Sequence, residues 1–342
     1  MRAAVVAALL PWLSACSAPS YLGEFTEGVT ALFDLGDVMR PAGREAEQIA
    51  QLAWVLFIGA AILWLLVMAL FVYITKQNPR PLSRRWAEAL IIGGGGIFPV
   101  IVLGILLVWT LPLMPAQRMP GDGLTIRVTG KQWWWKVEYL DANGDEANTV
   151  VSANEIRLPK GRRTEIVLAA DRVIHSFWIP ALAGKTDMIP GQTTRMALEP
   201  TKTGTFRGVC AEFCGESHAL MAFDAVVLEE PAFKAWLAAE REPADAPRTA
   251  AERRGAEVFL TQGCGACHAV RGTPAQAQIG PDLTHFGSRL TLGAGSFDNR
   301  SAERQSWVAH AAAMKPGARM PAYASLSDED LAALDRYLEG LK

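Results

Sequence analysis

Two apolar runs constrain this chain before any other feature does. Residues 49–75 (IAQLAWVLFIGAAILWLLVMALFVYIT) and 89–113 (ALIIGGGGIFPVIVLGILLVWTLPL) are almost free of charge. As helices they extend roughly 40 and 37 Å, enough to cross a bilayer with some tilt. A core helix rarely stays apolar on every side for so long, so two membrane spans are predicted. The loop between them, KQNPRPLSRRWAE, carries Lys76, Arg80, Arg84 and Arg85 against one acid, Glu88. Short basic loops stay cytoplasmic, which puts both chain ends and everything after residue 113 on the outer, periplasmic face of a bacterial inner membrane.

The N-terminus agrees. Met1-Arg2 followed by AAVVAALLPWL reads as a secretion signal over residues 1–15. It ends in LSAC, which resembles the bacterial lipoprotein processing box and would make Cys16 the lipidated first residue. Ordinary cleavage nearby, with Cys16 left as a lone thiol, is the other reading.

At 342 residues the chain has room for two or three domains, and a net charge of −2 gives no reason to expect nucleic acid. Residues 16–113 hold a polar outer segment and the two-helix hairpin. Residues 114–239 read as short strands separated by turns: LTIRV, TEIVLAA, TTRMALEP and MAFDAVVLEE are strand-like, and DANGDEAN is a turn. Such spacing predicts an all-β sandwich or barrel. Residues 240–250 (EREPADAPRTA) form a linker by composition. Residues 251–342 turn helical, and SDEDLAALDRYLEGLK pairs a Ser327–Asp330 capping box with an apolar face of Leu331, Leu334, Leu338 and Leu341. The expected fold is thus a multidomain membrane protein: a transmembrane hairpin, an all-β domain and an all-α domain.

Within the β block, CAEFCGESHALM concentrates Cys210, Cys214, His218 and Met221 into twelve residues, and His175 lies upstream in DRVIHSFWIP. A mononuclear blue-copper site uses two histidines, one thiolate and a weak axial methionine on a β-sandwich. The second cysteine goes beyond that set. Two thiolates can bridge two copper ions with one imidazole for each metal, so the stretch reads as a dinuclear copper electron-transfer site. A Cys210–Cys214 disulfide, a zinc site and a core role for His175 are the competing readings, and methionine is a poor zinc ligand.

CAEFCGESHALM, together with HSFWIPALAGKTDMIPG and GKQWWWKVEY, resembles subunit II of the haem–copper cytochrome c oxidases. The resemblance covers both spans and the β block. It implies a cupredoxin fold carrying the dinuclear centre CuA, with His175, Cys210, Cys214, His218, Met221 and the backbone carbonyl of Glu212 as ligands. It implies further that the Glu212 side chain helps to hold magnesium at the border with subunit I, and that Glu88 lies near a proton-uptake path. Related quinol oxidases lack the two cysteines, which this chain has. Where the family often carries an acid that docks cytochrome c, this chain has Arg172. Strand alternation groups Trp134 with Lys136 and Glu138 toward solvent, and Trp133 with Trp135, Val137 and Tyr139. The resemblance instead makes Trp133 the residue through which electrons arrive, while the bland reading packs all three tryptophans over the sandwich.

In the helical block, CGACH matches the C-x-x-C-H attachment motif of c-type haem, with Cys264 and Cys267 as thioether donors and His268 as axial ligand. Met314 and Met320 are candidates for the second axial position, a choice that raises the reduction potential. KPGARMPAY and IGPDLTHFGSR resemble the distal-ligand and haem-packing segments of small bacterial (class I) cytochromes c, which favours Met320 and leaves His285 and His310 structural. The five cysteines are then accounted for: one lipid, two copper, two haem.

The expected function is subunit II of an aerobic cytochrome c oxidase, with subunits I and III as membrane partners. Electrons would pass from a cytochrome c or a cytochrome bc complex to haem c, to CuA, and to haem a and CuB of subunit I, where oxygen is reduced and protons are pumped. A flexible linker with a reach of roughly 20 Å would make haem-to-copper transfer an intramolecular encounter. The alternatives are the electron-input subunit of a CuA-containing nitric-oxide reductase and a free-standing membrane electron carrier.

Overall fold

The computed structural model describes residues 40–77, 81, 83–113, 120–140 and 148–342. The signal segment and Cys16 lie outside the described residues.

Both apolar runs are helices of membrane-spanning length, and their side chains are exposed over most of that length. Helix α1 (Arg44–Gln77) starts five residues before the apolar run. Its first turn carries Glu45 and Glu47, the sign that suits the positive end of a helix dipole. That turn is tied to the β domain: Arg163 pairs with Glu45 at 2.6 Å and Thr201 donates to Glu47 at 3.0 Å. The second span is built from α2 (Arg84–Ile92), a π-helical stretch Gly93–Ile97, and α3 (Phe98–Thr110). Four glycines leave the backbone free to widen its turn, and Pro99, just beyond, has no N–H to return to the preceding turn. Glu88 pairs with Arg84, one turn earlier, at 2.7 Å.

The β block forms two five-stranded sheets packed face to face. One orders β3 (Val150–Ala153), β2 (Trp134–Leu140), β1 (Thr125–Lys131), β5 (Thr164–Ala170) and β8 (Thr194–Leu198). The other orders β4 (Glu155–Pro159), β10 (Ala222–Leu228), β9 (Gly204–Cys210), β6 (His175–Trp178) and β7 (Thr186–Met188). In β2, Trp135, Val137 and Tyr139 are buried while Trp134, Lys136 and Glu138 are not, so alternation holds from residue 134 onward. Trp133 escapes it, because it sits in the turn before the strand begins. The inward faces meet in an aromatic cluster, where Trp135 lies edge-on to Phe177 and Phe223, with ring centres 5.9 and 5.2 Å away. Helix α4 (Glu230–Arg241) closes the open end, placing Phe233 and Trp236 against Tyr139. This is a cupredoxin-like sandwich.

The C-terminal region is helical. Helix α5 (Ala250–Thr261) opens on a complete capping box of Thr249 and Glu252, and α7 (Asp328–Gly340) on a Ser327 cap. Gly255 allows the close crossing of α5 and α7: a Cβ there would stand 2.1 Å from the Ala333 carbonyl oxygen. Helix α6 (Ser301–Met314) packs alongside, held by a buried Arg304–Asp335 pair at 2.6 Å.

The two outer domains are docked on one another, which a free tether does not require. The intervening segment is itself held: Arg271 donates to the Glu240 carbonyl, and His285 Nε2 contacts the Glu242 carbonyl at 3.1 Å. Residues 288–296 then lie along the sandwich. Leu290 N–H donates to Glu155 at 3.0 Å, Thr291 to Asp224 at 2.5 Å, and Ala222 N–H to the Ala294 carbonyl at 2.9 Å. Arg207 reaches the Gly295 carbonyl and Ser296 the Leu220 carbonyl. Backbone bonds of this kind replace water at buried polar groups and so hold the domains in a single register.

Candidate metal centre and the adjoining cavity

At one end of the sandwich, His175 opens β6, Cys210 closes β9, and the loop between β9 and β10 supplies Cys214, His218 and Met221. Antiparallel pairing of β6 with β9 puts Phe177 opposite Cys210, which brings the start of one strand to the end of the other. Cys210 N–H donates to the Met221 carbonyl at 2.9 Å, closing the loop at its base.

The donor atoms converge. Cys210 Sγ and Cys214 Sγ are 3.8 Å apart, so they are not bonded to each other. His175 Nδ1 lies 3.7 Å from Cys210 Sγ, and His218 Nδ1 lies 3.7 Å from Cys214 Sγ. The Glu212 carbonyl is 3.2 Å from the first sulfur and Met221 Sδ is 3.7 Å from the second. Each sulfur therefore has one imidazole and one weaker donor beside it. His175, Cys210 and Cys214 are all buried, with ligand atoms mutually within 4.8 Å, a cluster able to hold a metal ion.

Electrostatics points the same way. The hydrogen bond from Cys214, then the His175 contact, draw the Cys210 thiol well below the usual range, against the opposing effect of burial. Cys214 is pushed up because it is the partner that keeps the proton. One thiolate is thus ready-made, and a cation displaces the remaining proton. His175 Nε2 is buried without a partner. The ring rests on Gly130, where a Cβ would stand 2.8 Å from it.

Trp133 borders this cluster. Its indole N–H and the Gln132 side-chain amide both donate to the Cys214 carbonyl, each at 3.1 Å. The other side of the tryptophan faces the C-terminal domain and lines a cavity of about 520 Å³. Cys264, Cys267, His268 and Met320 line the same cavity, with Phe259, Leu283, Phe286 and Leu338 supplying apolar walls. Met314, His285 and His310 do not line it. Arg172, from the β domain, also lines the cavity.

His268 is held in one orientation by its own loop. Its Nδ1 lies 2.7 Å from the Pro281 carbonyl, which assigns the proton to Nδ1 and leaves Nε2 as a lone-pair donor. Burial lowers its pKa, again favouring the neutral ring. Gly280 makes room beside it: a Cβ there would approach the imidazole to 2.6 Å. Cys264 and Cys267 are unpaired, and burial pushes the Cys264 thiol up.

Several residues that the sequence reading did not single out belong to this neighbourhood. Gly130 and Gly280 have only a contact across space to mark them. Lys315 is buried and donates to the carbonyls of Trp133, Leu220 and Gly293 at 2.9, 2.8 and 2.7 Å. Burial draws its ammonium down to about 7.

Residues 143–229 match the family model described as cytochrome c oxidase subunit II, periplasmic domain, and residues 252–342 match the model for cytochrome c. Cytochrome c oxidase subunit 2 of Alkalihalophilus pseudofirmus is 38% identical over 253 residues, covering 72% of this chain and 71% of that protein. The Bacillus subtilis protein of the same name is 31% identical over 256 residues, covering 72% and 70%. The crystal structure of the periplasmic domain of subunit II of cytochrome oxidase (CoxB) from Bradyrhizobium japonicum is 30% identical, covers 36% of this chain and 96% of its own, and superposes with a TM-score of 0.33. On the strength of these two relatives, each matched over more than two thirds of both chains, the chain belongs to the cytochrome c oxidase subunit 2 family.

Proposed function

We propose that this chain is the electron-input subunit of a cytochrome c oxidase and carries two redox centres of its own. A copper pair (CuA) would be held by His175, Cys210, Cys214, His218, Met221 and the Glu212 carbonyl. The donor set fits it: two soft sulfurs close enough to share two metals, and one imidazole nitrogen beside each sulfur. A c-type haem would be attached through Cys264 and Cys267, with His268 and Met320 as axial ligands. The thiols, the oriented imidazole and the thioether around one largely apolar cavity fit that group too. Magnesium at the border with subunit I would involve the Glu212 side chain.

Bound there, the two groups would supply successive one-electron carriers, haem c first and CuA second, for electrons bound for haem a and CuB of subunit I. Oxygen reduction and proton pumping belong to that partner. The residues of this chain do three things. They exclude water from His175 and the two thiols, they hold the His268 imidazole in one tautomer, and they set Trp133 between the cavity and Cys214. Since the haem domain covers the Trp133 face, an external cytochrome c or bc complex would deliver electrons to the haem domain and not to the copper domain. The domain boundaries proposed are 16–113 for the hairpin segment, 114–239 for the copper domain, 240–250 for the linker and 251–342 for the haem domain, after a signal at 1–15 and with Cys16 lipidated.

The observation that carries this reading is Trp133, with its indole on Cys214 and its other side on the cavity that Cys264, His268 and Met320 line. The test is purification of the intact complex from membranes. Two copper atoms and one covalent haem per chain, with a co-purifying subunit that contains haem a and CuB and oxygen uptake driven by reduced cytochrome c, are expected. A partner with haem b and non-haem iron would make the chain part of a nitric-oxide reductase. Zinc in place of copper would end the assignment.

A further inference from the structure

Lys315 is the one buried lysine at the contact between the two outer domains, 3% exposed, and no carboxylate pairs with it among the described residues. A lone buried ammonium is costly unless every N–H finds an acceptor. Here all three do, and the acceptors come from three separate segments: the Trp133 carbonyl in the turn before β2, the Leu220 carbonyl in the metal loop, and the Gly293 carbonyl in its own domain. Two of the three bonds cross the domain boundary. An ammonium offers three donors and no acceptor, so the match is complete.

Its neighbours in sequence extend the contact. The Ser217 hydroxyl, in the metal loop, donates to the Pro316 carbonyl at 2.5 Å. Gly317 lies so close to Trp133 that a Cβ would stand 2.5 Å from the indole ring. Three residues later comes Met320, on the cavity wall. The segment 315–320 therefore touches the tryptophan at one end and the haem cavity at the other. The tryptophan's indole in turn holds the Cys214 carbonyl.

We infer that Lys315 is a positioning residue for electron transfer between the two domains, clamping the axial-ligand segment of the haem domain onto Trp133 and the metal loop. This rests on the function proposed above and extends it. The device resembles a three-way pin: backbone carbonyls cannot be lost by substitution, so the specificity of the joint lies in the single lysine. With haem held by Cys264, Cys267, His268 and Met320 and copper held by the metal loop, these groups would supply the one-electron carriers, and no bond in the clamp would be made or broken. What the clamp sets is the distance and orientation between Trp133 and the segment carrying Met320.

The test uses the whole complex with Lys315→Met, which fills the same space without donors. Two readouts are taken together: the rate of copper reduction after photoreduction of haem c, and amide hydrogen exchange at Ala222, whose N–H crosses the boundary to Ala294. The clamp predicts a rate about tenfold lower or more, a loss typical of misplaced reactants, and faster exchange at Ala222. The copper near-infrared band and the haem c band should keep wild-type intensity. An unchanged rate overturns the inference, and so does a slower rate with unchanged exchange. Should Lys315→Met fail to assemble, Lys315→Gln, which is one atom shorter and cannot span the three carbonyls, is read in the same way. Absence of either band in the wild-type complex would instead refute the functional reading beneath.

Discussion

The indole N–H of Trp133 donates to the backbone carbonyl of Cys214 at 3.1 Å, across 81 residues of sequence. That bond fixes the ring's plane against the metal loop, and the ring's far side completes the wall of the C-terminal cavity. A residue so placed touches both candidate redox centres without belonging to either.

Replacing Trp133 with Phe keeps an aromatic ring but removes the donor. The expected cost is about 1 kcal/mol of stability, with the copper and haem bands retained and haem-to-copper transfer slowed several-fold. Trp133→Ala, which also empties the space beside Gly317, should slow it further. Time-resolved absorption after reduction of the haem measures both.

Cys214→Ser should abolish the copper near-infrared band and lower bound copper below two atoms per chain, while the haem c band persists. Metal analysis and spectra on one preparation separate the two centres. Retention of two coppers in the serine variant would rule out a bridging role for this sulfur.

Gly130→Ala is expected to weaken copper binding although residue 130 holds no metal. The added methyl meets the His175 ring 2.8 Å away and must turn the imidazole out of line with Cys210. Gly280→Ala makes the matching test at His268: covalent haem should remain, but the axial histidine bond should weaken, visible as a shift toward the high-spin spectrum.

Met320→Ala should leave the haem covalently attached while its reduction potential falls, because a thioether axial ligand favours the reduced iron. Met314→Ala should leave the potential where it was, since that side chain does not line the cavity. Redox titration of the two variants side by side decides between the methionines.

The Asp224–Thr291 contact should make domain docking sensitive to pH. Burial raises the Asp224 pKa above its value in the unfolded chain. A carboxyl raised in this way stabilises the folded protein below its unfolded pKa and loses that contribution as pH rises through the folded value. Stability should therefore decline through mildly acidic pH as this group ionises. Asp224→Asn, which keeps a partner for Thr291, should flatten that part of the profile in thermal unfolding measured from pH 4 to 8.

Much of the site was legible because its chemistry is local. CGACH sets two thiols and an imidazole within five residues, and CAEFCGESHALM packs four potential donors into a single loop. The spans were legible for a similar reason: lipid contact demands apolar residues all round, whatever the neighbours. The helix boundaries were less so. Arg44 to Gln48 join α1 because Arg163 and Thr201 of the β domain meet its acidic first turn. The alternation in GKQWWWKVEY identified the buried set from Trp135 on; Trp133 packs against the edge of that core but stays half-buried, because the strand begins one residue later.

The sequence by itself determined the candidate donor residues, the two apolar spans and the succession of a β and a helical region, since each depends on composition or spacing within a short stretch. Only the tertiary structure decided that the outer domains are locked together and that Trp133 faces both centres. Lys315 makes the reason plain: its acceptors lie 182, 95 and 22 residues away, and a carbonyl oxygen belongs to every residue alike. No side-chain pattern announces which backbone oxygen a buried ammonium will find; the packing of the two domains selects it.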